Sequence, residues 1–299
     1  LAQRGEQQGV MCGRTAMRAS FEEACEAFGV PPDRFFGSPS TSCSPSYNVC
    51  PGKTTAVFFS SKEGAEGAEQ VFARPMAWGL VPGYAKRPEP GKFHDFWRMF
   101  NARSESLAES PIFSRLLAQG KRCVVPVSGF YEWKKKDAGK KEPYYVFPKS
   151  SSGQFLLCAA LYDVWSDKET GERLYSYAIL TREPHREIAW LHDRQPVLLD
   201  GIDGATSWLT EGCQGQGHVP LRWHPVSTKV GNVNFDQPEC IEDARQAVLR
   251  QHKGSIMDLF AAGRGGAGAG GIRLGEASSK GTLGPRSPVK KAKGKAGKD

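Results

Sequence analysis

Short runs rich in β-branched and aromatic residues recur along the middle of this chain, and turn signals, rarely long helical patterns, divide them. They are Thr54 to Phe59, Cys123 to Val127, Tyr144 to Phe147, Phe155 to Leu161, Tyr175 to Thr181 and Val197 to Leu199. A chain dominated by strands that seldom alternate with helices is a poor match for a doubly wound fold. The pattern predicts an α+β domain built on an antiparallel, barrel-like β-sheet with short flanking helices. One such helix is well signalled: Ser20-Phe21-Glu22-Glu23 reads as a capping box, and Phe21, Ala24, Cys25 and Phe28 follow at helical spacing until Gly29 and Pro31-Pro32 stop them. Further helical patterns lie near Phe113 to Leu117, Glu187 to Leu191, Ser207 to Leu209 and Glu239 to about Gln251, while the Ser/Pro-rich stretch reaching Asn48 reads as a loop.

The 299 residues divide by composition into three parts. Leu1 to Val10 is a polar, patternless stub, 11–252 forms one domain, and 253–299 is a basic Gly- and Lys-rich tail predicted to be disordered, most clearly from Ala261. Charge follows the same division. From Gly263 onward nine basic residues face only Glu276 and Asp299, so of a net charge of +8 the rest of the chain holds +1. Global charge is therefore no sign of a nucleic-acid surface on the folded part, which has to be a local patch. Within the tail, Ser287-Pro288-Val289-Lys290-Lys291 reads as a nuclear-import element or a solubilising segment.

No run of some 18 apolar residues and no apolar leader of signal-peptide type is present, so the expected setting is nuclear or cytoplasmic, with no membrane partner. The eight cysteines are scattered without a C-x-x-C pair, which suits buried, reduced thiols better than zinc. No metal or other cofactor is expected.

Cys12 stands apart, because it directly follows Met11 in Met11-Cys12-Gly13-Arg14. Removal of that methionine exposes a 1,2-aminothiol. With reference pKa values of about 7.7–8.0 for the amine and about 8.5 for the thiol, both nucleophiles coexist near neutral pH. Such a pair condenses with an aldehyde through nitrogen and closes a five-membered ring through sulfur. While Leu1 to Val10 stay attached, the nitrogen is an unreactive amide. Initiation at Met11 or cleavage before Cys12 frees it; a permanent leader leaves a protein that binds without crosslinking.

Several other segments carry polar residues in apolar surroundings. They are Tyr47-Asn48, Trp78-Gly79-Leu80-Val81-Pro82, Phe100-Asn101-Ala102-Arg103-Ser104-Glu105, Ser128-Gly129-Phe130-Tyr131-Glu132-Trp133, Leu191-His192-Asp193-Arg194-Gln195-Pro196, Trp223-His224-Pro225-Val226-Ser227 and Val230-Gly231-Asn232. Together with Met11-Cys12-Gly13-Arg14-Thr15, and in this order, they resemble the signature segments of the SRAP family of abasic-site-processing proteins, over roughly Met11 to Ala247. The resemblance implies a DNA damage response protein that traps the ring-opened aldehyde of an abasic site in single-stranded DNA. The trap is a thiazolidine on the amino-terminal cysteine, a covalent DNA-protein crosslink.

By the same resemblance Cys12, Asn101, Glu132 and His192 are the catalytic set. Cys12 supplies both nucleophiles, and Glu132, partly desolvated between Tyr131 and Trp133, is expected to have a raised pKa and to protonate the furanose oxygen. His192 is the second acid/base and Asn101 orients the amine or sugar hydroxyl. Arg14, Arg103 and Arg194 are expected to clamp phosphates. Asn48 and Thr181 line the cleft, and Trp78, with Tyr47, offers a stacking platform for a flanking base.

Two other functions remain open on the residues alone: a thiol-dependent peptidase acting on its own leader, and a non-catalytic binder of single-stranded or modified DNA. His94, His185 and His218 read as solvated side chains, and His224 as a buttress beside the site. Arg103 and Arg194 could instead serve internal carboxylates such as Glu105 and Asp193. Ile256, Leu259 and Phe260 fall where a sliding-clamp-binding peptide carries its apolar plug, although Lys253 replaces its usual glutamine and a single aromatic is present; a last helical turn packing on the domain is the favoured reading of the segment. A monomer is expected.

Overall fold

A computed structural model of the chain describes residues 13–37, 43–61, 70–86, 98–149, 155–213 and 218–250 except 248. Cys12, the stub before it, His94 and the clamp-like peptide at Ile256, Leu259 and Phe260 lie outside the described residues.

The strands form two sheets. In the first, β3 (Thr54–Ser61), β4 (Gln70–Trp78), β6 (Arg122–Val127), β9 (Leu156–Ser166) and β10 (Arg173–Arg182) close on themselves, since β10 pairs both β9 and β4 at the ends of the run β4-β3-β6-β9. The barrel predicted from the short strands is therefore present, in an α+β frame. Pairing is antiparallel except where β10 meets β4 and β5 (Asn101–Arg103) in parallel. β11 (Gln195–Pro196) extends the β10 edge, and β12 (Leu198–Leu199) pairs β9. Closure removes the barrel's open edges, and the main core draws on both faces of its strands: Phe58, Val124 and Leu161 share one face, Met76 and Ile179 the other.

The second sheet runs β13 (Leu221–Pro225), β8 (Lys141–Pro148), β7 (Gly129–Lys135), β1 (Thr15–Met17) and β2 (Ser46–Val49). One continuous stretch passes from the barrel into it, leaving β6 at Val127 and entering β7 at Gly129. Ser128 makes the corner. Its N–H donates to Ala16 O at 2.7 Å, and its Oγ accepts from Arg18 N–H at 3.0 Å. Gly129 is required by space: a Cβ there would lie 2.5 Å from Val146 O and 2.6 Å from the Tyr145 ring. Crowding at this corner sets the direction of β7 and hence of Glu132 three residues on.

Helix α1 (Phe21–Phe28) forms as its sequence dictates. Ser20 Oγ accepts from Glu23 N–H at 3.1 Å while Glu23 Oε2 accepts from Ser20 N–H at 2.8 Å, a reciprocal cap worth about 1 kcal/mol. Gly29, at φ 70°, ends the helix in the left-handed region. Its apolar face is buried, with Phe28 stacked on Phe58 at 4.1 Å. α2 (Pro111–Ala118) and α3 (Gly201–Glu211) contain the other two short helical patterns.

Two expected helices differ. Glu187 to Leu191 is a series of turns: Trp190 Nε1 donates to Glu187 O at 2.9 Å, occupying the carbonyl that a helix would offer to Leu191, and Leu191 N–H turns to Ile188 O. The stretch from Glu239 begins as a single 3-10 turn, Pro238–Cys240, and helical backbone starts only at 244, after Asp243 accepts from Arg245 N–H. Asn48 lies in a strand, β2, because Asp236 holds it in place: its carboxylate accepts from Tyr47 N–H at 2.6 Å and from Ser46 Oγ at 2.7 Å. No helix among the described residues is long and apolar enough to cross a membrane.

Candidate functional site

Glu132 sits on β7, where side chains alternate between faces: Phe130 and Glu132 share one, Tyr131 and Trp133 the other. Tyr131 anchors the strand from behind, its hydroxyl donating to Tyr47 O at 2.6 Å. Glu132 is 2% exposed, yet the turn 187–193 brings His192 over it, with Nε2 3.9 Å from Oε2 and the imidazole side chain 12% exposed. That separation is too long for a direct hydrogen bond and short enough for both groups to reach one reacting atom or water.

His192 Nδ1 is met by two groups. Arg194 N–H donates to it at 3.1 Å, and Asp193 Oδ1 lies 2.9 Å away. The Asp193 carboxylate is 88% exposed and free to turn to water, whereas the Arg194 amide is fixed by the backbone. In the neutral ring Nδ1 therefore accepts, and Nε2 carries its proton toward Glu132. Burial holds the His192 pKa below its ordinary 6.5, against the pull of Asp193, and Lys135 and Lys141 push in the same direction as burial. The neutral base is thus the resting form at physiological pH.

The amino-terminal strand runs beside this pair. β1 is antiparallel to β7, with Thr15 opposite Phe130, and Tyr131 N–H donates to Arg14 O at 2.9 Å, so pairing continues toward Gly13 and the Glu132 end of β7. Cys12 is one peptide bond beyond Gly13.

Several of the expected DNA-contacting residues prove to be structural. Trp78 is fully buried, its Nε1 donating to Phe100 O at 2.9 Å and its ring parallel to Tyr177 in the barrel core, so it offers no face to a base. Tyr47 belongs to the separate small cluster behind β7. Asn48 is buried among the carbonyls of Val230, Asn232 and Phe235 and accepts from Arg14 Nη1 at 2.7 Å. Arg14 also donates to Val230 O and Gly231 O, which leaves its guanidinium committed to the protein. Thr181 is buried, with its carbonyl accepting from Arg194 Nη2 at 2.6 Å. Arg194 grips Glu105 through two parallel bonds of 2.9 and 2.7 Å, the internal pairing that its neighbours in sequence allowed. That bond holds the Glu105 carboxyl at about 2. Rather than reaching outward, these polar motif residues close the protein's own loops: Arg14 and Asn48 hold the segment from Val230 to Phe235 against the second sheet, and Arg194 holds Glu105 beside β10.

Asn101 and Arg103 lie on β5, paired to Ile179 and Thr181 of β10, and Arg103 is exposed. His224 buttresses the second sheet: its ring packs on Tyr145 and Phe147, and Nε2 lies 2.8 Å from Ile241 O. His185 and His218 are not independently solvated, since their rings stack on each other at 3.7 Å.

Sequence reasoning passed over the most basic part of the site. A groove of about 300 Å3 runs between β7 and the turn, lined by Trp133, Lys134, Lys135, Trp190, His192 and Asp193 among others. Trp190 is 39% exposed, packed edge-on against Tyr144 with Lys134 Nζ over its ring at 4.8 Å. Across the β7–β8 hairpin Lys135 faces Lys141 directly, a like-charge pair that is unfavourable without an anion nearby. The signal was legible as Lys134-Lys135-Lys136-Asp137-Ala138-Gly139-Lys140-Lys141, a charge run folded about a turn.

Comparison with known proteins agrees with this architecture. A crystal structure of a protein from Bacteroides thetaiotaomicron shares the fold at a TM-score of 0.60 and 21% identity, covering 78% of this chain and 100% of that one. The Abasic site processing protein HMCES of Xenopus tropicalis is 33% identical over 285 residues, covering 83% of this chain and 82% of its own length. The Abasic site processing protein YoaM of Bacillus subtilis (strain 168) is 35% identical over 199 residues, 67% of this chain and 79% of its own. Residues 11–233 match the family described as SOS response associated peptidase, and the chain belongs to that family, SRAP.

Proposed function

We propose that this chain processes abasic sites in DNA, and that it does so by capturing the open-chain sugar aldehyde as a thiazolidine on Cys12. The carrying observation is the Glu132–His192 pair, 3.9 Å apart and shielded from solvent at the end of β7 where the chain arrives from Gly13. The name shared by the relatives supports the substrate.

In this reading Glu132 protonates the furanose oxygen as the ring opens, and the Cys12 amine adds to C1′. Loss of one water gives the imine. The thiol sulfur then adds across the C=N bond and its proton passes to nitrogen, so the net by-product is a single water. His192, neutral and with Nε2–H directed at Glu132, relays the proton between carboxyl and hydroxyl leaving group. Asn101 orients the amine or sugar. The lysine-lined groove and the exposed face of Trp190 take the flanking single strand, phosphates on the ammonium groups and a base on the indole, with little preference for sequence. Such a substrate places the protein inside the cell.

The test uses protein beginning at Cys12, incubated with an abasic single-stranded oligonucleotide and resolved under denaturing conditions. Wild type should give a retarded adduct lighter by one water than the sum of its parts, Glu132→Gln and His192→Ala should form it more slowly, and Cys12→Ala should form none. An equal yield from Cys12→Ala sinks the proposal. The word peptidase in the family description favours a second reading, self-cleavage before Cys12. Mass spectrometry should then find residues 1–11 lost from wild type and kept in Cys12→Ala.

A further inference from the structure

Outside the reaction site, His185, Glu187 and His218 place three metal-ligating atoms within 4.8 Å of one another. Glu187 Oε2 stands between the imidazoles, 2.9 Å from His218 Nε2 and 3.7 Å from His185 Nδ1. Ligands held about 2.0 Å from a tetrahedral ion lie about 3.3 Å apart, so these two separations bracket the spacing that such an ion imposes. The rings are stacked, with centroids 3.7 Å apart at 25°.

The main chain of His185 is also held in place. His185 N–H donates at 2.7 Å to Oε1 of the buried Gln195, while His185 O accepts from Ile188 N–H at 2.9 Å and Ala189 N–H at 3.1 Å. Two ligands therefore sit on one tight turn, and the third comes from the segment leading into β13. Partial exposure of all three gives an ion a way in.

We propose that His185, Glu187 and His218 form a binding site for a divalent transition-metal ion of the zinc class. Two imidazoles and one carboxylate suit that class better than magnesium or calcium, which prefer oxygen, and three protein ligands leave a fourth position for water. The bound ion ties the turn that begins at His185 to the strand lead-in at His218. That turn carries Trp190 and His192, so the ion stiffens one wall of the groove without touching the reacting atoms.

The experiment is titration of the full chain, stripped with a chelator, with Zn2+ by calorimetry and with Co2+ by visible absorption, alongside hydrogen exchange of the amides of Ile188 and Leu191. One ion per chain is expected, with slower exchange of both amides on binding. His218→Ala and Glu187→Gln, both at exposed positions and checked for unchanged metal-free melting, should each weaken binding by more than about tenfold and abolish the exchange effect. Cys12→Ala and Cys213→Ala should bind as wild type does. Binding that survives His218→Ala places the ion elsewhere, and binding that disappears with either cysteine assigns it to a thiol; both overturn the proposal, as does the absence of binding. Neither result depends on whether the chain reacts with abasic DNA.

Discussion

Replacing Asn48 by alanine separates two roles for one residue, contact with DNA or closure of the protein's own loops. Asn48 is 1% exposed on β2. Its Nδ2 has two hydrogens and three carbonyls around it, Val230 at 3.2 Å, Asn232 at 3.0 Å and Phe235 at 2.8 Å, so two full bonds are shared among three acceptors. Its Oδ1 accepts a charge-assisted bond from Arg14 at 2.7 Å. Two neutral bonds at about 1 kcal/mol each and one charged bond at about 1.5–2 kcal/mol total about 3–4 kcal/mol. Arg14 keeps Val230 O and Gly231 O, and water entering the small space recovers part, which leaves a loss of about 3 kcal/mol. For a unit of this size that lowers the melting temperature by about 6–12 °C. Urea unfolding of both proteins reads the difference as a shift in midpoint at constant slope. DNA affinity of the folded variant, measured in the cold, should stay within about twofold of wild type. A loss under about 1 kcal/mol together with strongly weakened DNA binding would falsify the structural assignment.

Gly129→Ala should destabilise by about 2–3 kcal/mol or more in the same unfolding assay, because the added methyl meets a backbone oxygen that cannot move aside. His192 should titrate by NMR with a midpoint below 6.5. Since the unfolded chain then binds the proton more readily, this residue's contribution to stability is full above about 6.5 and lost as pH falls through the folded value, a loss that His192→Gln should not show. Lys135→Ala should reduce the slope of log affinity for single-stranded DNA against log salt by about 0.7 per phosphate contact removed, and should leave stability unchanged or slightly raised by relieving the pair with Lys141. An unchanged slope places the strand elsewhere.

Much of the framework was legible because it is local. The capping box of α1, the glycine that ends it and most of the barrel strands follow from residue periodicity and turn chemistry within a few positions of each other. What was missed is non-local. β2 and β13 are short and polar, and become strands only because β1 and β8 are there to pair with them. β4 carries Pro75, which argues against a strand until its long pairing with β3 is known. The turn at Glu187 was read as helix because its apolar spacing is helical, while the indole that captures Glu187 O is a side-chain choice that periodicity does not encode.

The same division runs through the site. Polar groups in apolar surroundings picked out the segments that carry Glu132, His192 and Asn101, the Met11-Cys12 pair picked out Cys12, and the resemblance of these motifs, in their order, to a known family pointed to the family that the match over residues 11–233 shows. Which of those polar groups face outward was decided by the tertiary structure. Arg14 and Asn48 are paired across 34 positions of sequence, and Arg194 and Glu105 across 89. A charge or an amide enclosed where loops meet a sheet must find its partners wherever folding brings them, and no local pattern states in advance which partner that is.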